Sequence, residues 1–282
     1  MNLPVLQQWF LLVPVGFAVG VLGGFVGLGG GFALVPILLL LFKLDPPAAA
    51  ATSLFVIFFS AAAGGIVQVR QRRVDWKMGL AASAGSVPAA IAGTLVIGYI
   101  NPAAFRIIIG VALLPAAVLM FVDRKPPSRN NVPSEPPESC GARKGRGIVT
   151  GKMKFRDGTE FSYRYNIFVL LLFGIFKGFF AGLTGIAGGT ILSPFMIVAM
   201  RIPVAVAAAT TQFTIIFTSS SGSISNLVQV AVRFDYAIPL AAGVVAGSIL
   251  GARLVRRVRG KVIRRALSIV IFAVAVRMLL AG

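Results

Sequence analysis

Two stretches of this chain are versions of each other, and that duplication restricts the fold more than any other feature. VGLGGGFALVPILLLLFK (26–43) lies over TGIAGGTILSPFMIVAMR (184–201), so that Gly27 meets Gly185, Gly30 meets Gly188, Leu34 meets Leu192, Pro36 meets Pro194 and Lys43 meets Arg201. Gly185 comes 158 positions after Gly27, and the same offset sets AAATS (49–53) on AAATT (207–211) and Gly64 on Gly222. With a slip of two residues, VDW (74–76) falls on FDY (234–236). Duplication and fusion of one unit explains so long a match, and the chain must fold as two related halves.

Both copies are embedded in apolar sequence. Of the 282 residues 57% are hydrophobic and 12% charged, far from the one-quarter charged share of soluble domains. Apolar runs fall at about 11–42, 48–69, 78–99, 103–122, 166–200, 205–231, 236–252 and 266–281. At about 20 apolar residues per span, the chain is an all-α polytopic membrane protein with little room for anything else. Three regions follow: a first transmembrane repeat at 1–122, a linker at 123–165 and a second transmembrane repeat at 166–282. The linker opens with KPPSRNNVPSEPPES, a flexible tether by composition. After it, IVTGKMKF and TEFSYRY flank Arg156-Asp157-Gly158, and Asp-Gly between strand-like runs predicts a small β-hairpin. Residues 1–10 carry no charged side chain and lead into a long apolar run, so no cleaved signal is expected. Cys140 stands alone and is given no role.

The net charge of +19 would fit a nucleic-acid binder, but its placement does not. Four of the 27 basic residues lie between Arg70 and Lys77, ten between Arg124 and Arg164, and seven between Arg253 and Arg265, always between apolar runs. That is the pattern of cytoplasmic loops of a membrane protein, so no nucleic-acid partner is expected. If all three clusters are cytoplasmic, each half crosses an odd number of times and the halves are inverted repeats. Inversion requires residues 11–42 and 166–200, each broken near its middle by GLGGG or GIAGG, to be re-entrant hairpins. Limbs of about 16 and 13 residues would measure roughly 24 and 20 Å, short of the ~30 Å hydrocarbon core. The alternative is one long tilted helix with a glycine packing face, which gives parallel repeats.

The apolar runs contain no Asp, Glu or His: the eight acids are Asp45, Asp75, Asp123, Glu135, Glu138, Asp157, Glu160 and Asp235. Carboxylate or histidine proton relays and His or Cys metal sites therefore have no material within the membrane, and neither enzymatic activity nor a cofactor is expected. A glycine break does supply a helix start at depth, with free N–H groups and the positive end of the helix dipole. Two such starts, at Gly31 and Gly189, would face each other near the midplane and hold a compact oxyanion. The second copy adds hydroxyls and amides: Thr190 beside the break, then Thr210, Thr211, Gln212, Thr214, Thr218, Ser219, Ser220, Ser221, Ser223, Ser225 and Asn226 on one helix, against Thr52, Ser53, Ser60 and Gln68 in the first copy. Such groups donate to anions without fixed charge, although small and hydroxyl residues also serve helix packing. Lys177 lies well inside an apolar run where the first copy has Val19. It is either an anion-binding cation or a side chain snorkelling to the membrane surface. Gly16, Gly20 and Gly24, like Gly243, Gly247 and Gly251, keep the spacing of a packing face.

GLGGGFALVP followed by PPAAAATSL, repeated as GIAGGTILSP and AAATTQF, resembles the TauE/SafE family of sulfite exporters, also called the toluene sulfonate uptake family. The resemblance covers both halves and leaves out the linker. It implies a bacterial inner-membrane transporter for sulfite, a sulfonate or a related organic anion. Carried over by position, the motif falls on Gly27, Gly29, Gly30, Gly31, Pro36, Thr52 and Ser53, and on Gly185, Gly188, Gly189, Pro194, Thr210 and Thr211. Ala187 stands where the second copy would have its middle glycine.

The expected partners are thus a small anionic substrate and the lipid bilayer, with room for a homodimer, and the linker is expected to be cytoplasmic. Candidate anion-binding residues are Gly27, Gly29, Gly30, Gly31, Thr52, Ser53, Lys177, Gly185, Gly188, Gly189, Thr190, Thr210, Thr211 and Gln212. Export is the expected direction, because a negative interior drives one negative charge outward with about 2.3 kcal/mol per 100 mV. A membrane scaffold and a cation permease are the rival readings. A scaffold has no need of duplicated broken helices, and a cation path usually recruits buried acids.

Overall fold

The computed structural model describes residues 5–27, 29–121, 147–154, 160–200, 202–229, 231–254, 272 and 275–277. The tether, Cys140, the turn at Asp157-Gly158, Arg201, most of the basic loop 253–265 and most of the last apolar run lie outside these residues.

The first half consists of α1 (Val5–Val26), α2 (Gly31–Leu40), α3 (Pro46–Arg70), α4 (Trp76–Val96) and α5 (Pro102–Phe121). A β-hairpin follows, β1 (Ile148–Lys154) and β2 (Glu160–Asn166), antiparallel with Ile148 opposite Asn166 and Lys154 opposite Glu160. The second half has α6 (Ile167–Thr184), α7 (Gly189–Val198), α8 (Val204–Val228) and α9 (Phe234–Leu254). The bounds of α2, α3 and α4 recur in α7, α8 and α9 at the offset read from the glycines, without the two-residue slip that matched VDW to FDY. Trp76 and Phe234 each open their helix, so the local likeness of VDW and FDY does not set the register.

Local sequence sets the helix ends. Pro46 opens α3, where its missing N–H costs nothing. Asp75 caps α4 by accepting from the Met78 N–H at 3.1 Å, and Asn166 caps α6 by accepting from Phe168 N–H at 2.9 Å. Gly27 (φ +76°) and Gly185 (φ +75°) end α1 and α6 in the left-handed conformation that glycine adopts without strain. The limbs around the breaks differ from the sequence expectation. The 22 residues of α1 make about 33 Å, more than the limb read from the sequence, whereas the 10 residues of α2 and of α7 make only ~15 Å.

Among the described residues four helices are long and apolar enough to cross a bilayer: α3, α4 with its 3-10 extension to Tyr99, α6 and α9. The chain is mostly helical and polytopic. Helix α8 has the length of α3 but carries its polar residues inward, with Thr210, Thr211, Gln212, Thr214, Thr218 and Ser219 fully buried.

Helix pairing crosses between the halves. Gly16, Gly20 and Gly24 of α1 face the backbone of Leu240, Val244 and Ser248 in α9, in that order, so the two helices run parallel. Gly174, Gly178 and Gly182 of α6 face Ala82, Ser86 and Ala90 of α4 in the same way. A Cβ at any of these six glycines would collide with a backbone carbonyl oxygen. Close approach of this kind is how membrane helices associate without a hydrophobic driving force. Gly243 and Gly247 pack on α1 likewise, as their spacing predicts.

Helix α4 also runs parallel to α8, through Ser86 with Thr218 (2.8 Å) and Thr94 with Ser225 (2.7 Å). Helix α3 runs parallel to α9, through Thr52 with Arg233 and Ser60 with Ser248 (2.7 Å). So α1, α3 and α9 point one way, and α4, α6 and α8 the other. Since α3 starts at the same end as α1, α2 runs back toward that end, and the chain reverses at the glycine break rather than continuing as one tilted helix. The hairpin docks at the end where α4 starts, with Tyr163 Oη donating to Asp75 Oδ2 at 2.7 Å.

Candidate functional site

Each break is a run of left-handed residues: Gly27, Gly29 and Gly30 in the first, and Gly185, Ala187 (φ +60°) and Gly188 (φ +65°) in the second. Ala187 thus keeps the conformation of the glycine it replaces. The breaks are held by the other half's alanine motif. Gly27 packs against Ala208 and Gly185 against Ala50, and a Cβ at either glycine would meet backbone closer than 3 Å. Ser53 Oγ donates to the Gly185 carbonyl at 2.9 Å. The duplicated AAAT sequence is therefore a seat for the opposite turn. The two breaks also meet each other, since a Cβ at Gly31 would lie 3.0 Å from Ile186 Cα.

Among the expected residues, Thr52 and Thr210 do matching work away from the breaks. Thr210 Oγ1 accepts from the Asp75 N–H and Thr52 Oγ1 from the Arg233 N–H, both at 3.1 Å, fixing the starts of α4 and α9. Thr211 donates to Met196 Sδ at 3.6 Å. Gln212 reaches over Gly64, where its Oε1 accepts from Gln68 Nε2 at 3.1 Å and its own Nε2 is buried without a partner. Thr190 is buried in the first turn of α7.

Lys177 is fully buried, so it does not snorkel. Its stem lies over Gly188, the last left-handed residue before α7, and its Nζ donates to Thr214 Oγ1 at 2.9 Å. Thr214 in turn donates to the Thr211 carbonyl at 2.8 Å, and Thr218, one turn on, meets Ser86 of α4. The break, the lysine and the hydroxyl face of α8 therefore converge. Sequence reasoning passed over Thr214 and Ser86 as partners. The signal for Thr214 was present: it replaces Val56 at the offset at which Lys177 replaces Val19.

The hairpin packs on both halves at the end where α4 starts. Tyr163 and Tyr165 share one apolar cluster with Met78, Leu192, Met196 and Val206. Gly151, opposite Tyr163, leaves room for the ring. Burial, then the hydrogen bond to Asp75 and its charge, push the Tyr163 hydroxyl far above its ordinary value of 10.0. Burial, with Asp75 second, raises Tyr165 to about 12.

The family model described as "Sulfite exporter TauE/SafE" matches residues 12–278. The chain is 29% identical to the probable membrane transporter protein YunE of Bacillus subtilis, over 98% of this chain and 99% of that one. It is 27% identical to the probable membrane transporter protein MJ0441 of Methanocaldococcus jannaschii, over 96% and 95% of the two chains. No solved structure matches. The chain belongs to the TauE/SafE family of membrane transporters.

Proposed function

We propose that this chain carries a small anion, such as sulfite or a sulfonate, across the cell inner membrane and binds it at the second break. One observation supports this most. Lys177 is fully buried, touches only Thr214 by hydrogen bond among the described residues, and has no carboxylate in any of α1–α9 except at helix starts. A charge buried in low dielectric needs a partner, and its ammonium has two further protons to donate. The substrate is that partner. The start of α7 at Gly189 and Thr190, with Thr211, stands on the same half to complete the shell, and the unpartnered Gln212 amide lies on the α3 side of α8. Gly27, Gly29, Gly30, Gly31 and Gly185 shape the facing breaks that bring these groups together at depth.

In this reading the halves are inverted repeats, supported by the opposed directions of α1 and α6, α3 and α8, and α4 and α9. The hairpin and tether lie in the cytoplasm, supported by the basic loop 70–77 against which the hairpin docks. Export runs with the membrane potential. Cysteine labelling in a Cys140-free background tests the topology: position 259 should be cytoplasmic and position 101 external, and an external 259 overturns inversion. Sulfite flux from proteoliposomes under a potassium-valinomycin potential tests the function. Lys177→Met should weaken transport about 30-fold or more, the scale of losing ~2 kcal/mol from a buried charge pair. Unchanged flux in a properly inserted variant would return Lys177 to a packing role.

A further inference from the structure

We infer that the site takes one singly charged oxyanion at a time, sulfite in its protonated form or a monosulfonate, and discriminates against dianions. This rests on the reading that Lys177 lies at the anion site. The reason is the charge available there. Helix α6 holds no ionisable residue besides Lys177, and α7 and α8 hold none. The neighbouring α4 and α3 carry one each, Lys77 in the first turn of α4 and Arg70 as the last residue of α3. A monoanion beside Lys177 makes a neutral complex. A dianion leaves one unit of charge uncompensated in a medium where that is costly.

The first half supplies no second cation. At the positions matching Lys177, Thr214, Gln212, Thr190 and Ser193 it has Val19, Val56, Leu54, Phe32 and Val35. The remaining donors are neutral. The two free ammonium protons and the start of α7, beside which the lysine stem lies, can hydrogen-bond the oxygens of an –XO3 group without adding a second full charge.

Methanesulfonate and sulfoacetate isolate the charge, since both present a sulfonate and the second adds a carboxylate. Binding is read on the full-length protein in detergent, as the concentration of each that raises the melting temperature, with Lys177→Gln in parallel. Methanesulfonate should act at concentrations about tenfold or more below sulfoacetate, a difference of ~1.4 kcal/mol, and the variant should lose the preference. Equal or tighter binding of sulfoacetate, lost in Lys177→Gln, would overturn the single-charge inference and leave the lysine site standing. Binding of both that ignores Lys177→Gln, or no stabilisation by either, would overturn the site and this inference with it.

Discussion

The two halves share a backbone and differ in lining. Their helix bounds repeat at one offset, their breaks use the same three left-handed positions, and the glycine faces of α1 and α6 pack on the equivalent helices of the other half, α9 and α4. Yet where the first half presents Val19, Leu54 and Val56, the second presents Lys177, Gln212 and Thr214. The shared part is what close packing forces: glycine where backbones touch, alanine where a turn is seated. The unshared part is free to vary because it faces the interior between elements. Duplication here supplies a scaffold twice and, in the proposed function, a binding chemistry once.

Scaffold substitutions should therefore hurt both halves alike, and these effects are the largest. Gly16→Ala sets a Cβ against the Leu240 carbonyl and Gly174→Ala sets one against the Ala82 carbonyl. Neither contact has a flexible side chain to move aside, so the helices must separate, at a cost of about 1–3 kcal/mol or more. Both variants should melt earlier by similar amounts in detergent. If one half tolerates its alanine, the scaffold is not shared as described.

Substitutions of the lining should divide the halves. Thr211→Val with Gln212→Val removes the Met196 contact, the Gln68 bond and the unpartnered Nε2, and should lower transport about tenfold while the protein still inserts and folds. The matching change, Ser53→Ala with Leu54→Val, should act on stability through the lost Gly185 bond and leave flux per folded molecule near normal. Equal flux defects in both would mean that the substrate uses the two breaks together.

Much of this was readable in the sequence. The repeat offset, the glycine breaks, the hairpin strands and the polar face of α8 all follow from local pattern. The partner of each break was not, because Gly27 with Ala208 and Gly185 with Ala50 are contacts across the halves, which no local periodicity encodes. Nor does local pattern show that Thr52 and Thr210, expected at the site, make two equivalent bonds to the starts of α9 and α4. Gly174, Gly178 and Gly182 were also missed, although they repeat Gly16, Gly20 and Gly24 at the common offset.

The hairpin lies between the two repeats, and its docking offers a smaller effect. Tyr163→Phe deletes the hydrogen bond to the Asp75 carboxylate and should weaken docking by about 1.5 kcal/mol. Faster proteolysis within residues 147–166 would register it, with the helices intact. Because both tyrosine hydroxyls are raised above 10.0, the stabilisation they give is complete below that pH and is lost as the pH rises, up to about 12 for Tyr165. Tyrosinate absorbance and protease sensitivity should rise together over that window. Undocking well below pH 10 would assign the contact to other groups.

The smallest test concerns the one residue in which the breaks differ at a left-handed position. Ala187 holds φ +60° where the first half has Gly29 at +78°. A Cβ in this conformation costs about 1–2 kcal/mol. Two terms oppose that cost in Ala187: its methyl is fully buried among the core residues, worth roughly 0.8 kcal/mol, and alanine loses less chain entropy than glycine on folding, worth ~0.4–1 kcal/mol. The terms nearly cancel, so Ala187→Gly should shift stability by less than about 0.5 kcal/mol. The converse change, Gly29→Ala, meets one more obstacle. Its Cβ would lie 3.2 Å from both Ile215 Cδ1 and Ile57 Cγ2, tighter than ordinary contact, so these side chains must give way. Gly29→Ala should therefore destabilise by about 1 kcal/mol while Ala187→Gly does almost nothing. If Gly29→Ala proves as neutral as Ala187→Gly, Ile57 and Ile215 do not confine the first break, and the two turns are interchangeable in packing as well as in backbone.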